Sequence, residues 1–301
     1  MRMCRLFGLS SGRERVRATF WLLEAPNSLA VQSRHNPDGY GLGTYDEDGR
    51  PDIDKRPAAA HEDELFALEA KRETSPRFLA HVRYATSGPV ALENTHPFEH
   101  NGFMFAHNGL VQDLPALDDH LGGHIAMVRG QTDSERLFAL LLKEFDGHHG
   151  DIAAGIETAV SWVAARLPVF SINFVLTTPT ELWALRYPKS HDLFVLERAA
   201  GGARGDRHFI GGVAGGTVRV RSSGLLHHPA VVVASERIDE DPGWSPLAPG
   251  ELLHVDPGLD ITRNVVIERP PRHLLHPPEL DVRAASSQVT TRTSELSGTR
   301  D

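Results

Sequence analysis

The only cysteine in the 301-residue chain is Cys4, in "MRMCRLFG". A thiol ordinarily titrates near about 8.5 and an α-amine near about 8. If the α-amine of Cys4 were unacylated, one residue would carry both nucleophile and general base, in reach directly or through one water. A small apolar residue in an edge strand fits the same position equally well. Asn108-Gly109, after the apolar run "FMFA", is most simply a tight turn. Chemically it is also a candidate oxyanion hole, offering the Asn108 side-chain N–H and the Gly109 backbone N–H. Each such donor is worth roughly 3 kcal/mol to a developing alkoxide, and glycine lets a substrate approach the backbone. Arg83, in "HVRYATSG", taken alone suits a surface salt bridge. With the Thr86 hydroxyl it would also make a bidentate carboxylate clamp. Asp133 in "TDSE" reads as a helix cap or first-turn acid, or as a partner for an ammonium group. Arg83 and Asp133 together would suit an α-amino acid.

These residues need elements to hold them. Cys4 to Leu9 reads as a strand, and Arg15 to Leu23 has helical spacing with Val16, Phe20 and Leu23 on one face. "DEDG" marks a hairpin. Residues 61–73 read as a helix with Leu65, Leu68 and Phe66 inward. Arg77–Thr86 and Gly102–Val111 read as strands. "QTDSERLFALLLKEF" reads as a helix with a capping box from Thr132 to Glu135 and with Leu137, Leu141 and Phe145 inward. A second helix over Asp151–Leu167 carries Ile152, Ile156, Val160 and Val163. After Pro168 come strands: "FSINFVLTT", "ELWALRY", "LFVLER", "AVVVAS", "ELLHVD" and "NVVIE". Strands, two adjacent helices and more strands make an α+β arrangement of layered sheets, with no βαβ repeat. One domain is expected over residues 4–268. From about residue 269 to 301, Pro, Ser, Thr and Arg dominate, and a disordered tail is expected.

The formal net charge of −9, with 40% hydrophobic and 24% charged residues, fits a soluble globular chain. It argues against nucleic acid or anionic membranes as partners. No apolar run nears the roughly 18 residues of a membrane span. No secretory leader is visible, and one cysteine makes no internal disulfide, so a cytoplasmic location is expected. A homo-oligomer is compatible with all of this. The chain has 17 histidines. His120 and His124 have the i, i+4 spacing of a helical metal pair, but two glycines lie between them, and solvated loop histidines are the better reading.

The ordered set "MCRLFG", "HNPDGYG", "HVRYAT", "ENTHPF", "AHNG" and "GQTDSE" closely resembles the class II glutamine amidotransferase domain of the N-terminal nucleophile hydrolases. The wording is most similar to the compact stand-alone branch related to the ergothioneine-pathway and glutathione-degrading γ-glutamyl amidohydrolases. The resemblance implies a four-layer α-β-β-α sandwich of antiparallel sheets. It implies Cys4 as nucleophile with its own amine as base, and Asn108 and Gly109 as the oxyanion hole. It places Arg83 and Thr86 at the α-carboxylate, Asp133 at the α-ammonium, and Gly39 and Gly41 in a loop near the nucleophile. His81 and His107 are expected to be packed or hydrogen-bonded rather than catalytic. The implied reaction splits the γ-amide of glutamine or of a γ-glutamyl compound through a thioester, with no metal and no organic cofactor. Any acceptor chemistry would lie on a separate synthase subunit. A non-catalytic glutamine sensor on the same fold is the alternative. Because the family's cysteine heads the mature chain, translation from Met3 or removal of residues 1–3 is expected.

Overall fold

The computed structural model of the chain describes residues 4–201, 209–213, 216–220, 225 and 227–287. One sheet contains β1 (Arg5–Ser10), β2 (Tyr40–Tyr45), β3 (Pro51–Arg56), β4 (Arg77–Val82), β9 (Phe194–Arg198), β12 (Ala230–Ala234) and β13 (Ser245–Pro246). Its order is β13-β9-β12-β1-β4-β2-β3. The other contains β5 (Phe98–His100), β6 (Phe103–Val111), β7 (Pro168–Thr177), β8 (Leu182–Arg186), β14 (Glu251–Val255) and β15 (Ile261–Val265), in the order β15-β14-β8-β7-β6-β5. Neighbours in both sheets are antiparallel. β10 (Phe209–Val213) and β11 (Gly216–Val220) form a separate hairpin.

Side-chain parity explains the layering. Successive strand residues face opposite sides, and both faces of β1 are buried. Leu6 joins Leu79, Met104, Ala106 and Val175 in the core between the sheets. Phe7 and Leu9 join the opposite core. That second core packs under the five-residue π-helix Phe20–Glu24, α1 (Leu29–Gln32) and α2 (Glu64–Arg72). In β6, Met104 and Ala106 face the first sheet, whereas Phe105 faces outward. There it meets α4 (Asp133–Gly147) and α5 (Ile152–Arg166), with α3 (Leu114–Leu121) beside them. The result is the four-layer α-β-β-α sandwich. Each large side chain buried fully in these layers contributes about 1.5–3 kcal/mol. The sheets also approach closely at Gly8, where a Cβ would stand 2.8 Å from Val175 Cγ1.

Several elements differ from the sequence-based expectation. The helix expected over residues 15–23 shrinks to Phe20–Glu24, because Val16 instead bridges Ser75. In α2 the inward residues are Phe66 and Ala70, spaced i, i+4, while Leu65 and Leu68 are exposed. Thr132 caps α4 through Glu135 N, but the Glu135 carboxylate accepts from Arg129 N and Gly130 N. It therefore pins the preceding loop instead of completing a capping box. Within the segment expected to be loose, Leu275, Leu280 and Ala284 are buried. β16 (His273–Leu274) runs parallel to β7, and α6 (Val282–Ser287) follows. Residues 288–301 lie outside the described residues.

His81 and His96 are buried beside each other, with ring centroids 4.2 Å apart, and His107 is buried as well. Burial holds all three imidazoles below their ordinary pKa, His81 at about 3. A buried neutral histidine excludes a proton that the unfolded chain takes up near pH 6.5. Stability is therefore full above that pH and falls as pH drops below it, by about 1.4 kcal/mol per pH unit for each such group. His81 and His96 alone predict a loss of roughly 2–3 kcal/mol between pH 6 and 5. Urea midpoints across this window check it; a flat profile would contradict it.

Candidate active site

Strand parity sets the direction of both residues, and at Cys4 it carries on past the start of β1. Cys4 shares its face with Leu6 of β1, and Asn108 shares its face with Met104 and Ala106 of β6. Both therefore point into the seam between the sheets. Arg5 pairs with Val82 of β4, which brings Cys4 level with the residues following that strand. The sulfur sits against Tyr84: the Tyr84 N–H donates to Sγ at 3.3 Å, and the thiol donates to Tyr84 O at 3.3 Å. Cys4, Tyr84, Thr86, Asn108 and Gly109 line one small cavity, of about 30 Å³. Leu110, Phe170 and His191 continue its wall.

Asn108 is almost fully buried and donates one amide N–H to Ser235 Oγ at 3.5 Å. A carboxamide has two such hydrogens, so this contact orients the group while leaving a second donor. Ser235 is itself fixed by Leu6 N, which donates to its Oγ at 3.0 Å. Gly109 has no room for a side chain, since a Cβ would fall 1.9 Å from Ser171 O and 2.4 Å from His107 Nε2. After Leu110, β6 carries a bulge against β7. Bulges re-aim backbone groups, and here Val111 N donates to Asp133 Oδ2 at 2.9 Å. Ser87 Oγ donates to the other oxygen, Asp133 Oδ1, at 2.7 Å. Asp133 thus ties β6 to the loop after β4.

Burial is the largest influence on the Cys4 thiol and pushes its pKa up. The Tyr84 N–H, Arg83 and Arg5 oppose this, and Asp133 adds to it. The balance leaves a protonated thiol at neutral pH, so attack requires a base. Arg5, also nearly buried, pairs with Glu236.

Not every expected residue reaches the cavity. Cys4, Thr86, Asn108 and Gly109 do. Arg83 and Asp133 are buried behind it and act on Cys4 through their charge. Arg83 makes no surface salt bridge: its guanidinium donates to Pro89 O at 2.9 Å and Ser87 O at 2.7 Å, with Gly88 O at 3.4 Å. The fork expected to hold a carboxylate holds loop carbonyls in this structure. Gly39 lies in the loop before β2, its carbonyl accepting from Arg83 N at 2.7 Å, next to the Tyr84 backbone that holds the sulfur. Gly41 lies inside β2 rather than in a loop, with His96 O 2.0 Å from where a Cβ would be. His107 bonds Ser134 through Nδ1 at 2.9 Å. His120 stacks on Trp162, and His124 lies beside Asp146. Residues 1–3, expected to be removed, lie outside the described residues.

The family described as glutamine amidotransferases class-II matches residues 3–276. The chain belongs to that family. This class II amidotransferase chain is 30% identical over 183 residues to the probable glutamine amidotransferase DUG3 of Saccharomyces cerevisiae, covering 50% of the chain and 51% of DUG3. It therefore spans about half the length of that relative. It is 29% identical over 265 residues to the gamma-glutamyl-hercynylcysteine sulfoxide hydrolase of Mycobacterium tuberculosis, covering 84% of the chain and 93% of that protein. The solved structure of the allosteric regulatory enzyme of purine biosynthesis superposes with a TM-score of 0.63 at 19% identity, covering 89% of this chain and 50% of that one. At that identity the superposition supports the fold alone. No described helix of the amidotransferase chain is long and apolar enough to cross a membrane. Sequence reasoning missed Tyr84, Ser235 and His191, all of which adjoin Cys4 or Asn108. Only Tyr84 had a local signal, since it lies inside "HVRYAT".

Proposed function

We propose that the chain is an amidohydrolase that cleaves the γ-amide of glutamine or of a γ-glutamyl compound through a Cys4 thioester. The observation that carries this reading is the convergence of Cys4, Asn108 and Gly109 on one cavity from two different sheets. The α-amine of Cys4 takes the thiol proton, and Sγ attacks the γ-carbonyl carbon. The oxyanion is held by the Asn108 side chain and the Gly109 backbone. The protonated amine then gives its proton to the departing nitrogen, and water hydrolyses the thioester to release glutamate. This requires Cys4 to head the active polypeptide. Arg83 serves the α-carboxylate, which takes the place of loop carbonyls on the guanidinium, with Thr86 beside it. Asp133 serves the α-ammonium. The match to a γ-glutamyl hydrolase over 93% of that protein supports a substrate with an amine or peptide leaving group. A separate synthase that receives ammonia is the other arrangement this family chemistry serves.

Glutamate release is to be measured from glutamine and from γ-glutamyl peptides, with and without candidate partner proteins. Faster release from the peptides, unaided, identifies the hydrolase; release from glutamine that rises with a partner identifies a subunit. No release from either would reject the reading. Asp133→Asn removes the buried charge that acts on the ammonium from behind the cavity. It is expected to raise KM about tenfold or more with a smaller change in kcat, the pattern of lost ground-state binding. An unchanged KM would remove Asp133 from the substrate site.

A further inference from the structure

The cavity beside Cys4 is roofed by the chain's own C-terminal segment. Leu280 and Ala284 line it directly. They belong to a small apolar cluster with Leu110, Phe170 and Leu275, separate from the three main cores. The free volume left under this roof, about 30 Å³, holds about two water molecules.

The segment is held very differently along its length. Its root is built into the fold: Tyr187 Oη donates to Arg269 O at 2.9 Å, and Arg272 N donates to Ala164 O at 2.8 Å. β16 pairs with β7, and Leu275 N donates to Val169 O at 2.8 Å. Beyond Leu275 come a 3-10 turn over Pro277–Glu279 and the short helix α6. That distal part carries Leu280 and Ala284 into the cavity, while Val282 is 88% exposed on its outer side. A polar clasp helps hold it: Arg283 Nη2 donates to Asp38 Oδ2 at 2.6 Å, and the guanidinium lies 5.4 Å from the Tyr84 ring centroid. Asp38 Oδ2 also accepts from Ala85 N at 2.8 Å. The clasp therefore lands on the Tyr84–Ala85 backbone that cradles the sulfur.

We infer that residues 276–287 form a hinged gate, closed in this structure, that swings out about the Leu275–Pro277 root to admit the substrate to Cys4. Its role in turnover rests on the amidohydrolase reading; its control of access to the thiol does not. Closed and open forms share one equilibrium, and apparent affinity falls with the fraction that is open. A half-exposed ion pair reinforced by a cation–π contact is modest, which suits a clasp that must release.

The test uses the full chain with Arg283→Ala and, separately, Leu280→Ser. Neither residue has a part in the chemistry. Cys4 is the only cysteine, so the rate of iodoacetamide alkylation reads access to it with no reference to glutamine. Each variant is expected to alkylate about tenfold faster, equal to about 1.4 kcal/mol, with the pH midpoint of alkylation unchanged. kcat/KM for glutamate release rises by a similar factor. Faster alkylation with no glutamate release from any form keeps the gate and rejects the amidohydrolase. Unchanged alkylation overturns the gate. So does a shifted pH midpoint with the same plateau rate, since that marks an electrostatic effect. Faster alkylation with lowered turnover also overturns it, since the segment would then be a wall that the substrate needs.

Discussion

Cys4→Ala is expected to lower glutamate release by at least about 10⁴-fold, since loss of a nucleophile that acts in concert with its base removes nearly all covalent catalysis. The fold should survive. The sulfur exchanges two 3.3 Å hydrogen bonds with the Tyr84 backbone, and losing a hydrogen bond of that kind costs about 1 kcal/mol. Urea unfolding of the variant should therefore stay close to that of the parent chain. Cys4→Ser keeps a hydrogen-bonding atom at the same place and should be nearly as inactive, because the burial that raises the thiol leaves a hydroxyl still harder to deprotonate. Turnover within tenfold of the parent in either variant would remove Cys4 from the chemistry.

Asn108→Ala is expected to cost about 10²–10³ in kcat, the effect of deleting one oxyanion-hole donor, with KM changed much less. The amide is buried and oriented by Ser235, so the donor is positioned before the substrate arrives. Asn108→Asp tests the same point with nearly the same shape. It places an acceptor, and at neutral pH a charge, against the developing oxyanion, and should be at least as poor as alanine. An aspartate variant with near-parental kcat would show that Asn108 serves packing alone. The two sets of kinetics also separate the roles of the sheets, Cys4 preceding β1 in one and Asn108 lying in β6 of the other.

The site was legible where strand parity and motif order sufficed. Leu6 and Ala106 face the inter-sheet core, and the same alternation carries Cys4 and Asn108 to one seam. The remainder depended on contacts between distant parts of the chain. Ser235 reaches Asn108 because β12 pairs with β1, and nothing near residue 235 signals it. Arg83 lies at the end of its strand as expected, yet the loop of Ser87 to Pro89 folds back onto its guanidinium. Leu65 and Leu68 look like an inward pair, but the wider Phe66 at i, i+4 from Ala70 takes the buried face of α2. The polar composition after residue 269 concealed Leu275, Leu280 and Ala284, which form a small apolar cluster with Leu110 and Phe170.

The most direct measurement is mass spectrometry of the intact protein and its peptides after exposure to a diazoketone analogue of glutamine, which alkylates a nucleophile only where the γ-carbonyl would sit. One adduct per chain is expected, on a peptide that begins with Cys4, with glutamate release disappearing in step with labelling. Reversible binding of the analogue with no adduct would point to a sensor instead. An adduct on another residue, or full turnover from a chain in which the Cys4 nitrogen is still acylated, would equally rule out Cys4 as nucleophile with its own amine as base.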